Sequence, residues 1–181
     1  MNVIGLFLAS ILSLFNFTQL AATSAAFFDM PVEERQATVL FVGDMMFDRS
    51  VRTTAERSGE DFLFSCISST LANADLTIAN LEGPITDNPS RSVGSAIGSP
   101  DNFVFTFPRS TAALLKEHHI DLVSIGNNHI LNFGYSGVRT TVQALEEAEV
   151  GYIGDPIGDT VALRTINGIP FAFIAYNEFD D

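Results

Sequence analysis

Three short apolar runs, each ending in polar residues, constrain the fold of this 181-residue chain most strongly. They are TVLFVGD at 38–44, DLTIANLEG at 75–83 and DLVSIGNN at 121–128. Continuous runs of β-branched, aromatic and other apolar residues are typical of strands covered on both faces in a parallel sheet. Ligands bind outside the carboxyl ends of such strands, and the polar residues of all three runs lie there.

Stretches with helical spacing separate these runs. One helix is predicted within residues 62–72, a second begins near Ser110, and a third is capped by Ser136. Their apolar faces are formed by Phe64, Ile67 and Leu71 in the first helix and by Val138, Val142 and Leu145 in the third. Strands that alternate with helices predict an α/β fold with a largely parallel sheet.

The remaining segments predict a long loop and further strands. Residues 86–102 are rich in Ser, Gly, Pro and Asn, which indicates a surface loop, and FVFTF at 103–107 predicts a short strand. Three more strands are predicted from VGYIGD, TVALRTI and PFAFIAY. Asn167-Gly168 joins the last two and is a strong hairpin signal.

The amino-terminal residues have the composition of a targeting segment. Residues 1–26 combine an apolar block with small residues, as in a secretory signal peptide, although no lysine or arginine precedes Arg35. An uncleaved N-terminal anchor is the alternative. Residues 27–37 are interpreted as a linker, and 38–181 as the folded domain. Export to the cell envelope is therefore expected, with membrane anchoring as the variant.

The charge balance limits the class of partner. The chain has 22 acidic and 9 basic residues and a net charge of -13, which would repel nucleic acid. An anionic ligand would need a local positive charge to bind, and a divalent cation is one way to supply it. Cys66 is the only cysteine, so no disulfide can form within the chain.

Polar side chains end each of the three strand candidates. Asp44 ends the first, Asn80 and Glu82 the second, and Asn128 and His129 the third. Carboxylate, amide and imidazole groups are ligands of Zn, Mn and Fe. Each position alone has an ordinary alternative: Asp44 as a helix cap, Asn80 and Glu82 in a turn, and a structural histidine. Their coincidence at three strand ends favours a site.

Several blocks carry a family resemblance: FVGDMMFDRSV, NLEGPIT, FVFTFP, and NNHILNFG with the helix that follows it. From residue 38 to about 177, the chain resembles the CapA-type family of bacterial capsule or poly-gamma-glutamate synthesis proteins. That family is related to the calcineurin-like metallophosphoesterases. The resemblance implies a sandwich of two sheets flanked by helices and a site for two divalent ions, such as Mn, Zn or Fe.

The resemblance also implies roles for individual residues. Asp44 and Glu82 match the positions of metal ligands, and Asn128 that of an amide-oxygen ligand. His129 would serve as the acid for the leaving group or orient phosphate. Three further asparagines would contact substrate or support these groups: Asn80, Asn127 and Asn132.

Two departures from the family pattern bear on activity. Asn132 stands where the family usually has an aspartate, three residues after its histidine. A later His-x-Gly-x-Glu block has no counterpart, so the chain is expected to be the N-terminal part of a longer protein, with an incomplete metal centre. His118 and His119 are expected at a solvated helix end and do not replace that block.

Other charged residues have less specific interpretations. Asp48 and Arg49 are expected to form a solvated pair, with reach to the site from the first loop as the alternative. Arg91 and Arg109 are expected to lie at the surface beside the long loop or to meet an anionic substrate.

Three functions follow from the sequence. One is a metal-dependent hydrolase acting on an anionic polymer or phosphoester in capsule assembly. The second is a non-catalytic, polymer-handling partner of a membrane-bound synthase, and the third is a structural domain.

Overall fold

The structure is a computed structural model, and it describes residues 34–178. A four-stranded parallel sheet forms the centre of this part of the chain. Its strands are β1 (Val39–Met45), β2 (Leu76–Leu81), β3 (Leu122–Ser124) and β4 (Gly151–Ile153), in the spatial order β1-β2-β3-β4. Strands β5 (Val161–Ile166) and β6 (Ile169–Ile174) form a separate antiparallel pair. The predicted signal segment 1–26 and residues 27–33 of the linker lie outside the described residues.

Four α-helices connect the parallel strands. They are α1 (Arg49–Ser58), α2 (Ser68–Ala72), α3 (Ser110–Glu117) and α4 (Gly134–Glu147). Three 3-10 helices accompany them, at Glu60–Phe64, Pro100–Phe103 and Ile130–Phe133. Within residues 34–178, no helix has the length and apolarity needed to cross a membrane.

The parallel sheet is covered on both faces, and strand β2 shows this most directly. Ala79 and Leu81 belong to the core formed with the helices, whereas Leu76 and Ile78 belong to a second core. That second core includes Phe173 and its neighbours on the β5–β6 hairpin. The prediction of an α/β fold with two sheets flanked by helices is therefore confirmed.

The hairpin turn forms as the sequence predicts. Asn167 has φ 50° and Gly168 φ 76°, so both central residues are in the left-handed region that a type I′ turn requires. Asn and Gly tolerate this region better than other residues.

The predicted strand at 103–107 is wrong. Phe103 ends a 3-10 helix, and the rest makes only an isolated bridge between Phe107 and Ile85. Side chains take the backbone donors that a strand would need. The N–H of Phe105 donates to Asn132 Oδ1 at 2.8 Å, and that of Thr106 to Asp48 Oδ2 at 2.9 Å.

The predicted helix at 62–72 is broken in two. Phe64 and Leu71 are buried as expected, but Ile67, between the 3-10 helix and α2, is 46% exposed. The hydroxyl of Ser65 donates to the carbonyl of Phe62, and that of Ser68 to Phe64. Such bonds compete with helical ones and explain the break.

Two expectations about helix ends are also wrong. Ser136 does not cap α4, because the 3-10 helix at Ile130–Phe133 leads directly into it and Ser136 lies in its first turn. His118 is not solvated: its ring stacks on Phe64 with centroids 4.3 Å apart, and its Nε2 lies 3.1 Å from Asp61 Oδ1. His119 is exposed, as expected.

Candidate functional site

A β-bulge in β1 brings Asp44 to the same place as the polar end of β2. Phe41 pairs with Ile78, but the next paired residue is Asp44, opposite Asn80, so Val42 and Gly43 together oppose one residue. In a regular strand Gly43 would face Asn80 and Asp44 would point to the other face. The extra residue therefore sets the direction of Asp44.

Asn80 links the two carboxylates of the site. Its Nδ2 donates to Asp44 Oδ1 at 2.9 Å and also to Glu82 Oε2. Its Oδ1 accepts a bond of 3.0 Å from Asn127 Nδ2. A single amide thus gathers residues from the ends of β1 and β2 and the turn after β3.

The adjacent asparagines Asn127 and Asn128 have different surroundings. Asn127 is buried; besides its bond to Asn80, its Nδ2 donates to the Leu81 carbonyl at 2.8 Å, and its Oδ1 accepts from the His129 N–H at 3.0 Å. Asn128 is exposed, and among residues 34–178 no side-chain hydrogen bond occupies its amide. Asn127 therefore shapes the turn, and Asn128 offers a free amide oxygen.

The orientation of His129 is set by Asn132. Asn132 Oδ1 accepts from the Phe105 N–H, so it also accepts from His129 Nδ1, 3.3 Å away. The other ring nitrogen, Nε2, then faces Glu82 Oε1 at 3.7 Å. The Phe105 ring packs on the imidazole with centroids 4.4 Å apart. An amide at position 132 thus orients the ring as a carboxylate would, without adding charge.

The surroundings of Glu82 change the pKa of its carboxyl group. Burial of its carboxyl, together with the nearby Asp44 charge, raises the pKa of Glu82 above its ordinary value. His129 and the hydrogen bond from Asn80 act in the opposite direction without cancelling the rise. Two carboxylates held together in this way favour a positively charged ligand.

The donor set fits one side of a divalent-cation site. Asp44 and Glu82 supply carboxylate oxygens at one place, and Asn128 has an unengaged amide oxygen close in sequence to His129. Such oxygens suit divalent ions. No group of three His, Cys, Asp or Glu side chains suited to a metal occurs in residues 34–178. By themselves, the described residues therefore do not form a complete coordination shell.

Residues 38–180 match the family described as Bacterial capsule synthesis protein PGA_cap. The chain belongs to this family. The resemblance inferred from the sequence blocks is thus confirmed for almost the whole predicted domain.

Two relatives of the PGA_cap chain share most of its length. The Capsule biosynthesis protein CapA of Bacillus anthracis is 26% identical over 150 residues, which cover 81% of this chain and 36% of that protein. The PGA biosynthesis protein CapA of Bacillus subtilis (strain 168) is 23% identical over 144 residues, which cover 76% and 36%. The chain therefore spans about a third of the length of these relatives.

Phe105 of this PGA_cap chain takes part in the site although the sequence did not single it out, and Asp48 holds the backbone of the next residue, Thr106. Phe105 lies in the predicted strand that does not form, and it contacts both His129 and Asn132. Asp48 is fully buried and accepts from the Thr106 N–H and the Ser90 hydroxyl. The sequence signal for Asp48 was its position just before a helix, where aspartate is a preferred cap.

The expectation of a solvated Asp48–Arg49 pair is wrong. Asp48 pairs with Arg52, whose Nε lies 3.3 Å from Asp48 Oδ1, because the two are one helical turn apart. From Arg49, the Asp48 carboxylate accepts the backbone N–H and forms no ion pair with the guanidinium. Two arginines beside the long loop are paired at the surface: Arg91 with Asp101, and Arg109 with Glu147.

Proposed function

We propose that this chain carries part of a metal-dependent, phosphoesterase-like hydrolase site that acts in capsule or poly-gamma-glutamate assembly. One observation carries the proposal: Asn80 holds the carboxylates of Asp44 and Glu82 together beside an oriented His129. The names of the two Bacillus relatives concern capsule and PGA biosynthesis, which supports the choice of pathway.

The proposed roles follow from the contacts. Asp44, Glu82 and Asn128 would hold divalent ions such as Mn, Zn or Fe, two of them in the whole protein. When bound, such ions generate a nucleophile from water at neutral pH and stabilise charge on phosphoryl oxygens. His129, with Nδ1 bonded to Asn132, would use Nε2 to donate a proton to the leaving oxygen.

The setting of this function is proposed with it. The substrate would be an anionic polymer or a phosphoester, and the protein would act outside the cytoplasm, at the cell envelope. A membrane-bound synthase is the proposed partner. An acidic chain with a net charge of -13 gains attraction for such a substrate only where cations lie, which supports a metal at the site.

The test is metal-dependent hydrolysis by the whole protein, because the described residues carry only part of the proposed site. Mn²⁺ binding would be measured by calorimetry and turnover with bis(p-nitrophenyl) phosphate. We expect Asp44→Asn to weaken metal binding, and His129→Ala to leave metal binding intact while lowering turnover by about 10²–10⁴-fold. Asp87→Asn, which neutralises an exposed loop carboxylate, is the matched control for Asp44→Asn. Unchanged turnover in both site variants would refute the proposal.

A second function is favoured by one observation. Within residues 34–178 no three His, Cys, Asp or Glu side chains form a metal-binding group, which suits a fold that handles polymer without catalysis. In that case the melting temperature would be insensitive to EDTA and elemental analysis would find no metal. A melting temperature that rises with Mn²⁺ would favour the hydrolase.

A further inference from the structure

A polar groove lies between the start of α1 and the long loop. Its volume is about 520 Å³, and the polar residues that line it are Arg49, Ser50, Thr53, Ser92, Ser95 and Asn102. We propose that this groove, here called the loop groove, binds an oxyanion of an acidic chain molecule, a carboxylate or a phosphate, with Arg49 as its cation.

Arg49 is the arginine of this region whose charge is not neutralised. No carboxylate within residues 34–178 forms an ion pair with it, whereas its neighbours Arg52 and Arg91 are paired with Asp48 and Asp101. The Arg49 guanidinium donates from Nε at 2.8 Å, and from Nη2, to the carbonyl of Asn102. A guanidinium has five N–H donors, so donors remain for a ligand.

The position of the Arg49 side chain is fixed before any ligand arrives. Its guanidinium carbon lies 5.3 Å from the ring centroid of Phe103 and 4.6 Å from that of Phe105. The backbone adopts φ 53°, which is unfavourable for a residue other than glycine. The N–H of Arg49 holds that conformation by donating to Asp48 Oδ1 and to Ser92 Oγ. A guanidinium held in this way loses little freedom on binding.

Hydroxyl and amide groups around Arg49 suit the same class of ligand. The exposed Ser50 contributes a hydroxyl from α1 that no other residue of the described part of the chain engages. The hydroxyls of Thr53 and Ser95 donate to the carbonyls of Arg49 and Ser92, so they shape the groove. Hydroxyl donors and a guanidinium together recognise carboxylate and phosphate oxygens. No carboxylate side chain lines the groove within the described residues, so an anion would meet no direct repulsion there.

The loop groove borders the candidate site through one aromatic ring. Phe105 contacts the Arg49 guanidinium on one side, and its centroid lies 4.4 Å from that of His129. An acidic chain bound at Arg49 would therefore extend toward His129. This direction of the chain rests on the proposed function, whereas binding at the groove does not.

The experiment measures binding by the full chain without turnover. Fluorescence anisotropy would follow a labelled glutamate hexamer, a glutamine hexamer of equal length and a linear polyphosphate, in EDTA. Arg49→Gln removes the cation. Ser50→Asp adds a negative charge in the groove, and because it lies in the first turn of α1 it should not weaken the helix. Arg57→Gln, on the exposed last turn of α1, is the charge-matched control.

We expect at least one acidic probe to bind about tenfold more tightly than the glutamine hexamer, a charge-assisted preference. Arg49→Gln and Ser50→Asp should each lower that affinity by about fivefold or more, and Arg57→Gln by less than about twofold. If the glutamate hexamer loses affinity in Arg49→Gln, the oxyanion is a carboxylate; if the polyphosphate does, it is a phosphate. Equal binding of acidic and neutral probes, or equal losses in Arg49→Gln and Arg57→Gln, would overturn the inference. Binding that survives in a chain without hydrolase activity would refute only the proposed function.

Discussion

Asn80 joins two carboxylates with a neutral side chain. Its amide nitrogen bonds to both Asp44 and Glu82, and its oxygen is engaged by Asn127. A lysine or arginine in its place would neutralise the acids, and an aspartate would add a third like charge. The amide instead fixes their positions and leaves their charge available to a ligand.

Replacing Glu82 tests the electrostatics of this arrangement. Because the folded-state pKa of Glu82 is raised above its ordinary 4.5, its contribution to stability is complete below about pH 4.5 and declines as the pH rises through the folded value. Glu82→Gln removes that decline. We expect the variant to melt at a higher temperature than the wild type at pH 8 in EDTA, and at the same temperature at pH 4.

The control for this prediction is Glu56→Gln, which changes an exposed carboxylate within α1. It should alter the melting temperature at neither pH. Addition of Mn²⁺ at pH 8 should reverse the order of Glu82→Gln and wild type, because only the wild type keeps the carboxylate. A destabilised Glu82→Gln in EDTA at pH 8 would contradict the raised pKa.

At the scale of single residues, the sequence predicted which side chains follow the strand ends. It did not predict which of them are buried or which hydrogen bonds each one makes. The strand-end pattern placed Asn127, Asn128 and His129 just after a strand, and in the structure they follow β3. It could not tell which asparagine is buried, because an irregular turn has no side-chain period. The burial of Asp48 was also hidden, since its partners Ser90 and Thr106 lie 42 and 58 residues away in the chain.

Strand β1 carries the bulge on which the direction of Asp44 depends. Val42 and Met45 both pack on the core beneath the helices, although a regular strand would place residues three apart on opposite faces. The apolar run gave no sign of the bulge, because a continuous apolar run has no alternation that a shift would interrupt.

Changing the length of β1 tests the role of the bulge. Deleting Gly43 should give a regular strand in which Asp44 still faces Asn80, so the bond of 2.9 Å between them should persist in a crystal structure. Inserting one alanine after Gly43 should turn Asp44 away and abolish the bond. Gly43→Ala should be tolerated, because nothing lies within 4 Å of the added carbon. An intact bond in the insertion variant would contradict this account.

The long loop depends on the buried carboxylate of Asp48. Asp48→Ala removes the acceptor for Ser90 and Thr106 and leaves Arg52 without its carboxylate partner. We expect a loss of about 3–5 kcal/mol in the free energy of unfolding, and faster hydrogen exchange across residues 86–102. Asp87→Ala, at an exposed position of the same loop, should stay within about 0.5 kcal/mol of wild type. Equal effects of the two variants would be evidence against this role.

At the scale of the molecule, the backbones that follow β3 and β4 meet at two glycines. A Cβ on Gly154 would lie 2.7 Å from the Cα of Gly126, and the backbone of Gly154 has φ 78°. Gly154→Ala should therefore cost both conformational strain and overpacking, a loss of about 3 kcal/mol or more in the free energy of unfolding measured with urea.

The control for Gly154 separates these two costs. Gly94 has a similar φ of 75°, but nothing lies within 4 Å of its added carbon. Gly94→Ala should lose only about 1–2 kcal/mol, the cost of the left-handed backbone. Similar losses in the two variants would mean that the contact with Gly126 is unimportant.

The fold class was predictable at this scale, and the arrangement of its layers was not. Alternating strands and helices predicted the parallel sheet, and Asn167-Gly168 predicted the hairpin. No local pattern specified that Phe173 of the hairpin would join Ile78 of β2 in one apolar core. That contact depends on total apolar burial rather than on any short segment.

The β5–β6 hairpin turn contacts the residues that lead into β1. Asn167 Nδ2 donates to the carbonyl of Gln36 at 2.9 Å, so the residues just before β1 leave the sheet at its amino edge. The Asp44–His129 cluster lies at the opposite, carboxyl edge. A label attached at Gln36 would therefore lie at the far edge of the sheet from the cluster, whereas a label at Tyr176 would lie beside Asn127.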